Sequence, residues 1–261
     1  MSGDPDLSPP DDAEPATVVS VTDGDTIRVG REGGLNSAVR LIGINSPETG
    51  ECFVDEAAQV LATLVPEGTV IGMTRDVSEV DEFGRLLRYL WRDGMFVNEE
   101  MVRLGVAIAG RYPPDTSMAE TLERAQVEAS EAQRGLWDPE ACGPRSDAEL
   151  SIAELEFDAP GDDSLNLNQE WIVIRNDGTG PVDLSGWGIR DESARNRYLF
   201  PDSFILAPGE TVTVRSGCGD DSETDLHWCS VGSAIWNNDG DTAFLHDANG
   251  NTHVSLSYQG N

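Results

Sequence analysis

The chain contains no lysine. All 17 of its basic side chains are arginine, set against 48 aspartates and glutamates, for a formal net charge of -31 over 261 residues. A surface of that sign repels nucleic acid at long range, which argues against a simple basic nucleic-acid-binding module. No apolar run is long enough to span a membrane, and no apolar segment of the secretory-leader kind is present. Histidine is equally scarce: His227, His246 and His253 form no visible ligand set. With no closely spaced cysteine pair beside them, a zinc site is not expected.

Cysteine is limited to Cys52, Cys142, Cys218 and Cys229, and four cysteines allow three pairings. Cys142 closes the first of the chain's two regions, and Cys218 and Cys229 bracket a Gly/Asp-rich loop in the second, so bridges 52–142 and 218–229 are expected, which implies an oxidising compartment. The alternative is four reduced, partly buried thiols. The acidic charge is spread evenly, with -5 on residues 1–16, -11 on 17–140 and -15 on 141–261. A patch for one basic partner would be local. Even spread instead suits concentrated salt, where self-repulsion is screened within about 3 Å at 1 M, and the composition resembles the lysine-poor proteomes of extreme halophiles.

Residues 1–16 are rich in Pro and Asp with almost nothing apolar, and are expected to be a disordered acidic leader. The leader looks like a tether behind a cleaved signal or lipid anchor. The protein is therefore expected at the cell surface or outside the cell, with a cytoplasmic location as the alternative. From Thr17 to 140, β-type runs at 17–21, 26–29, 39–44, 69–75 and 86–91 alternate with helical spacing at 55–65, 97–104 and 118–134. Residues 141–149 break every period and form a linker. Beyond it, short β runs at 150–157, 170–175, 182–190, 198–200, 211–215 and 243–246 are separated by Gly, Asn and Asp turns, the pattern of a β-sandwich.

Three clusters in the first half carry chemistry. Val21-Thr22-Asp23-Gly24-Asp25-Thr26 sets two carboxylates at a strand-turn-strand junction. Val39-Arg40-Leu41-Ile42-Gly43-Ile44-Asn45-Ser46-Pro47-Glu48 runs a strand into a polar turn ending in an acid. Asp81-Glu82-Phe83-Gly84-Arg85 places an arginine just after a turn. Taken singly, an Asp-Gly turn is more often only a hairpin, and a strand arginine is usually salt-bridged. Together they match phosphodiester hydrolysis, which needs fixed positive charge around the phosphate oxygens and a base that orients water. Asp25, Asn45 and the Ser46 carbonyl are hard oxygen donors of the kind Ca²⁺ takes. Arginine meets phosphate bidentately where lysine does not.

These clusters, with F-V-N-E-E-M-V-R-L-G-V-A at 96–107 and G-L-W at 135–137, resemble the staphylococcal nuclease family in content and order across residues 17–140. The resemblance implies a five-stranded OB-type barrel with three helices. It further implies that Asp25, Asn45 and the main-chain oxygen of Ser46 bind Ca²⁺, with Asp23 behind them. Glu48 would orient or deprotonate water, and Arg40 and Arg85 would clamp the phosphate. Tyr112, with Arg111, lies where the family keeps aromatic residues that stack on a base. Two positions depart from the pattern: Asn45 stands where aspartate is usual, lowering ligand charge by one, and Glu82 stands where a basic residue often helps hold phosphate.

From about 150 to 261 the chain resembles the lamin-tail domain, an immunoglobulin-like β-sandwich, through L-N-L-N-Q-E-W-I-V-I-R-N at 165–176, V-D-L-S-G-W-G-I-R-D at 182–191, F-I-L-A-P-G-E-T-V-T-V at 204–214 and W-N-N-D-G-D-T-A-F-L-H-D at 236–247. Trp171, Trp187 and Trp236 are expected to fill the sandwich core and its edges rather than to form a binding platform. Asp239-Gly240-Asp241 and Asp247-Ala248-Asn249-Gly250-Asn251 read as hairpin turns rather than Ca²⁺ loops. The expectation for the whole is an α+β domain followed by an all-β one: a Ca²⁺-dependent nuclease acting on DNA or RNA, whose second domain serves attachment or substrate presentation. The rival is a non-catalytic nucleic-acid or surface-binding protein in which Asn45 disables the metal site.

Overall fold

Five alternating runs need partners for their backbone amides, and they obtain them by closing on one another. In the computed structural model, which describes residues 13–31, 33–34, 36–193, 196–230 and 234–260, the chain divides into two compact units, Met1–Ala141 and Cys142–Asn261. Of the expected leader, residues 1–12 lie outside the described residues, while residues 14–16 belong to the first strand.

The first unit begins with β1 (Glu14–Val21), β2 (Thr26–Gly30) and β3 (Asn36–Leu41). They are followed by β5 (Val70–Thr74) and β6 (Leu86–Arg92), with the two-residue strands β4 (Ile44–Asn45), β7 (Met95–Phe96) and β8 (Ile108–Ala109) between and after them. The order β3-β2-β1-β5-β6-β7 is antiparallel until a parallel β3–β6 pairing, Arg40 opposite Leu87, closes the barrel. The expected single strand 39–44 is interrupted because Gly43 has φ +77°, a left-handed turn that glycine adopts without a Cβ clash. That break sends Ile44–Asn45 off to pair with Ile108–Ala109 instead.

Three helices cover the barrel: α1 (Val54–Leu64), α2 (Val97–Arg103) and α3 (Ala119–Glu131). Helix α1 has no side-chain cap, a feature typically worth about 1 kcal/mol. It is held by complete burial of Ala57 and Leu61 on one stripe, and a leucine alone contributes roughly 1.5–3 kcal/mol. In α2 the fully buried Asn98 accepts from Leu90 N–H and donates to the Ile42 carbonyl, both at 2.9 Å. This clamp fixes the chain just before Asn45. In α3, Gln126 accepts from Ala109 N–H at 2.8 Å and so holds β8 in place.

The second unit packs two four-stranded sheets. One has the order β16 (Asp225–His227), β15 (Thr211–Arg215), β10 (Trp171–Asn176), β9 (Leu150–Glu156). The other has β13 (Arg197–Leu199), β12 (Gly188–Arg190), β17 (Gly240–His246), β18 (Thr252–Gln259). A small pair joins β11 (Val182–Asp183) to β14 (Ile205–Leu206). Alternate residues such as Ile172, Ile174, Val212, Val214, Ala243 and Leu245 fill the space between the sheets.

The expected strand 182–190 is split by a turn in which Ser185 donates its N–H (2.9 Å) and hydroxyl (2.6 Å) to Asp183. Trp187 and Trp236 are core residues, whereas Trp171 is half-buried with the Arg215 guanidinium 5.6 Å from its ring centre. Residues 247–251 form the β17–β18 turn, where Asp247 Oδ1 accepts from Asn249 N–H (2.9 Å) and Asn251 N–H (3.0 Å). Cys218 is bonded to Cys229, and Cys52 and Cys142 are disulfide-bonded as well. No helix among the described residues is long and apolar enough to cross a membrane.

Candidate functional site

The β1–β2 turn is tightened by Thr22 N–H to the Thr26 carbonyl (2.8 Å) and by Asp25 N–H to Asp23 Oδ1 (3.1 Å). It turns Asp25 inward, where the side chain is almost wholly buried. Buried carboxylates need donors, and Asp25 has several. Its Oδ2 accepts from Ser46 N–H at 2.9 Å and Ser46 Oγ at 3.1 Å. Its Oδ1 accepts from Thr26 Oγ1 at 3.1 Å and faces Arg40 Nε at 3.2 Å. Barrel register explains the second contact, since Thr26 lies opposite Arg40 in the β2–β3 pair.

Arg40 then spreads its fork, donating Nη2 to Asn45 Oδ1 and Nη1 to the Leu41 carbonyl. Asn45 donates Nδ2–H to the Tyr112 hydroxyl. Arg85 enters at the start of β6 and reaches Thr26 Oγ1 at 3.5 Å. It is steadied by Asp81, whose Oδ2 lies 2.6 Å from its Nε. Burial would raise the Asp81 carboxyl, but the Arg85 side-chain and backbone hydrogen bonds outweigh it and hold the group below the usual range. One chain of contacts thus runs from Arg85 through Thr26, Asp25 and Arg40 to Asn45 and Tyr112.

Asp23 and Glu48 border this chain. Burial first, then the charge of Asp25, pushes Asp23 above the ordinary carboxylate range. Glu48 sits at an exposed rim; partial desolvation, followed by the charges of Asp25 and Asp23, raises its carboxyl against the pull of Arg40. Arg111 is paired to Glu123 on α3, at 2.6 Å from Nη2 and 2.9 Å from Nε.

The donors gathered here are carboxylate, amide and hydroxyl oxygens, the set that fits a hard divalent cation whose remaining positions are taken by water or substrate. Asp25, Asn45 and Ser46 could hold it, with Asp23 and Glu48 adding negative charge nearby. Among the described residues no three His, Cys, Asp or Glu side chains form a ready-made cage. A cation here would therefore draw on neutral oxygens as well as carboxylates.

Three residues that matter to this geometry escape a reading of the sequence. Thr26 links Asp25 to Arg85, and Asn98 anchors Ile42, but neither connection has a local signal. Phe83 is 71% exposed with the Arg85 guanidinium 5.4 Å from its ring centre. Its signal was visible: an aromatic residue inside a polar turn, directly before the arginine.

Gly24 explains why glycine separates the two aspartates. A Cβ there would lie 2.6 Å from the Cβ atoms of both Ser46 and Ala57. The turn packs directly on the segment carrying Ser46 and on α1, so backbone would have to move. Gly24→Ala is expected to cost about 1–3 kcal/mol of stability and to loosen the Asp25–Ser46 contact. Thermal unfolding measures the first effect. A melting temperature equal to that of the wild type would show that the turn has room to spare.

Residues 38–139 match the family described as Staphylococcal nuclease homologue, and residues 144–260 match the Lamin Tail Domain. The Thermonuclease of Staphylococcus hyicus is 31% identical over 126 residues, covering 46% of this chain and 73% of that protein. The Thermonuclease of Staphylococcus intermedius is likewise 31% identical over 126 residues, covering 74% of its length. The SPbeta prophage-derived endonuclease YokF of Bacillus subtilis is 30% identical over 128 residues, which is 43% of its length. The ordered motifs, the closed five-stranded barrel with its three helices and these matches have one reading: the chain belongs to the staphylococcal nuclease family and carries a lamin-tail domain behind its barrel.

Proposed function

We propose that the protein is a Ca²⁺-dependent nuclease that hydrolyses phosphodiester bonds of DNA or RNA. The observation that carries this reading is the continuous set of contacts linking two guanidinium groups, Arg40 and Arg85, through Thr26 and Asp25. Two forks converge where a dianionic transition state would need positive charge. In this reading Arg40 and Arg85 clamp the phosphate, and Glu48 orients the attacking water or takes its proton. Asp25, Asn45 and Ser46 hold Ca²⁺, with Asp23 supporting them. A bound Ca²⁺ supplies fixed positive charge beside the phosphate. Phe83 offers a face on which a base can stack next to Arg85.

The relatives that carry nuclease or thermonuclease names support the activity; the acidity shapes its character. With a net charge of -31, long-range attraction is absent and binding rests on contacts at the site. Single-stranded or frayed segments, whose bases are free to stack, are then the preferred substrate. The same acidity is read as adaptation to concentrated salt. The disulfides suit an extracellular or cell-surface protein. The lamin-tail domain is read as the part that attaches the enzyme or presents substrate to it.

The rival reading, a binding protein without catalysis, draws on the Arg40 fork, which engages both Asp25 Oδ1 and Asn45 Oδ1. Zymography of the full chain on single-stranded and duplex DNA, from low to molar salt, separates the two. Cleavage that a chelator abolishes and added Ca²⁺ restores is expected, persisting at molar salt and faster on single strands. Failure to cleave with Ca²⁺ at every salt concentration would favour the binding protein. Equal rates on intact duplex and single strands at molar salt would remove the substrate preference.

A further inference from the structure

The β10–β15 register brings Glu170 and Ser216 together. Trp171 lies opposite Arg215, and Ser216 N–H extends the ladder by donating to the Glu170 carbonyl at 3.0 Å. Side chains alternate between faces along a strand. Glu170 therefore shares a face with Ile172 and Ile174, and Ser216 shares one with Val212 and Val214, the residues that fill the space between the sheets. Glu170 is 0% exposed and Ser216 1%. A polar pair thus closes one end of an apolar core.

Asp163 reaches the same place from the 3₁₀ turn Asp163–Leu165, which precedes β10. Ile235 N–H donates to Glu170 Oε2 at 3.1 Å, and the Asn238 side chain donates to Asp163 Oδ2 at 2.6 Å. One short segment therefore holds both carboxylates, each by a single oxygen. Their other oxygens, Glu170 Oε1 and Asp163 Oδ1, are buried and have no hydrogen-bond partner among the described residues, and neither has the Ser216 hydroxyl. Burial raises the Glu170 carboxyl, the neighbouring Ser216 side chain lowers it, and the Asp163 charge raises it further. Both neighbours are therefore close enough to act on it.

Three buried oxygens without donors pose a problem of charge as well as of hydrogen bonding. A water molecule could satisfy the hydrogen bonds and would leave two negative charges uncompensated. A proton on Glu170 removes one of them. A hard divalent cation answers both, because it takes carboxylate and hydroxyl oxygens and matches their summed charge.

We propose that Asp163 Oδ1, Glu170 Oε1 and Ser216 Oγ form a Ca²⁺ site within the lamin-tail domain, main-chain oxygens or water completing the shell. This site shares no residue with the nuclease centre and does not depend on the nuclease reading. A cation there fastens the turn before β10 to the end of β15, and it takes the place of the proton that Glu170 holds in the metal-free protein.

The test is calorimetric titration of the chelator-treated full chain with CaCl₂ alone at pH 8, in enough salt to screen weak binding to the acidic surface. Asp163→Asn and Glu170→Gln keep the shape and remove one charge each. Either is expected to abolish one Ca²⁺ per chain or weaken it by about tenfold or more, while Ca²⁺-dependent cleavage stays within about twofold of wild type. Should the wild type not cleave, the nuclease reading fails and the titration still decides this site. Ser216→Ala keeps both charges, should weaken the same Ca²⁺ by about threefold to tenfold, and stands in if neither acid variant folds. Scanning calorimetry supplies a reversal of sign. In chelator at pH 8, Glu170→Gln should unfold at a higher temperature than wild type, and with saturating Ca²⁺ at a lower one, because only the wild type gains binding free energy. Unchanged affinity and stoichiometry in the variants, or a Glu170→Gln protein that remains the more stable with Ca²⁺ present, overturns the proposal and leaves a proton and water to these oxygens.

Discussion

Replacing Arg85 by alanine is expected to lower kcat/KM for Ca²⁺-dependent cleavage of a single-stranded oligonucleotide by roughly two to three orders of magnitude, the usual loss when one preorganised donor to a developing anion is removed. The fold should survive. The Arg85–Asp81 pair is partly exposed, and pairs of that kind typically contribute under about 1 kcal/mol. The melting temperature is therefore expected to move by a few degrees at most. Arg85→Lys keeps the charge but loses the planar fork and the placement over Phe83, so it should recover only part of the activity. Arg40 makes a poorer probe, because its guanidinium also supports Asp25 and Asn45. If Arg85→Ala cleaves within tenfold of wild type, Arg85 has no place in the mechanism.

Glu170 controls the second large effect, in the lamin-tail domain. It stands immediately before β10 with no exposed surface, its Oε2 accepting Ile235 N–H at 3.1 Å. Its Oε1 has no hydrogen-bond partner among the described residues. Burial chiefly, with the charge of Asp163 adding a little, raises its carboxyl to about 7 against the opposing pull of the Ser216 side chain and of the Ile235 and Trp236 backbone amides. The folded state thus holds a proton that the unfolded chain, at its ordinary 4.5, releases. The contribution to stability is whole below about pH 4.5 and is lost as pH rises through about 7.

Glu170→Gln supplies a permanently neutral isostere. It should match wild type at pH 4.5 and exceed it at pH 8 by about 3 kcal/mol, from the size of that displacement, or on the order of 10 °C for a domain of this size. Asp191 and Asp241, held above the ordinary range chiefly by burial, act in the same sense. The variant should therefore keep a shallower loss of stability with pH rather than none. Differential scanning calorimetry across pH 4.5–8 decides it: equal stabilities at pH 8 would mean that Glu170 ionises without cost in the folded protein.

The two halves of the molecule were legible to different depths. In the barrel, helical spacing placed α1, α2 and α3 to within a few residues, and the Asp23-Gly24-Asp25 turn correctly joined β1 to β2. In the sandwich, β14, β16 and β18 went unread. The first two are only two and three residues long, too short for a period to show. Strand β18 does alternate Val254, Leu256 and Tyr258, but the serines between them, Ser255 and Ser257, make it look like loop.

What the amino-acid sequence determined by itself is whatever depends on neighbours a few positions apart: the turn that must carry glycine, the apolar stripe of each helix and the order of the acidic and arginine motifs. The tertiary structure alone decided which of those residues meet. Arg85 reaches Thr26 only because β3 and β6 close the barrel in parallel, Tyr112 reaches Asn45 only because β4 leaves β3 to pair with β8, and Glu170 becomes a proton trap only when both sheets bury it. Hydrogen-bond register sets distances between residues dozens of positions apart, and no local pattern of side chains encodes it.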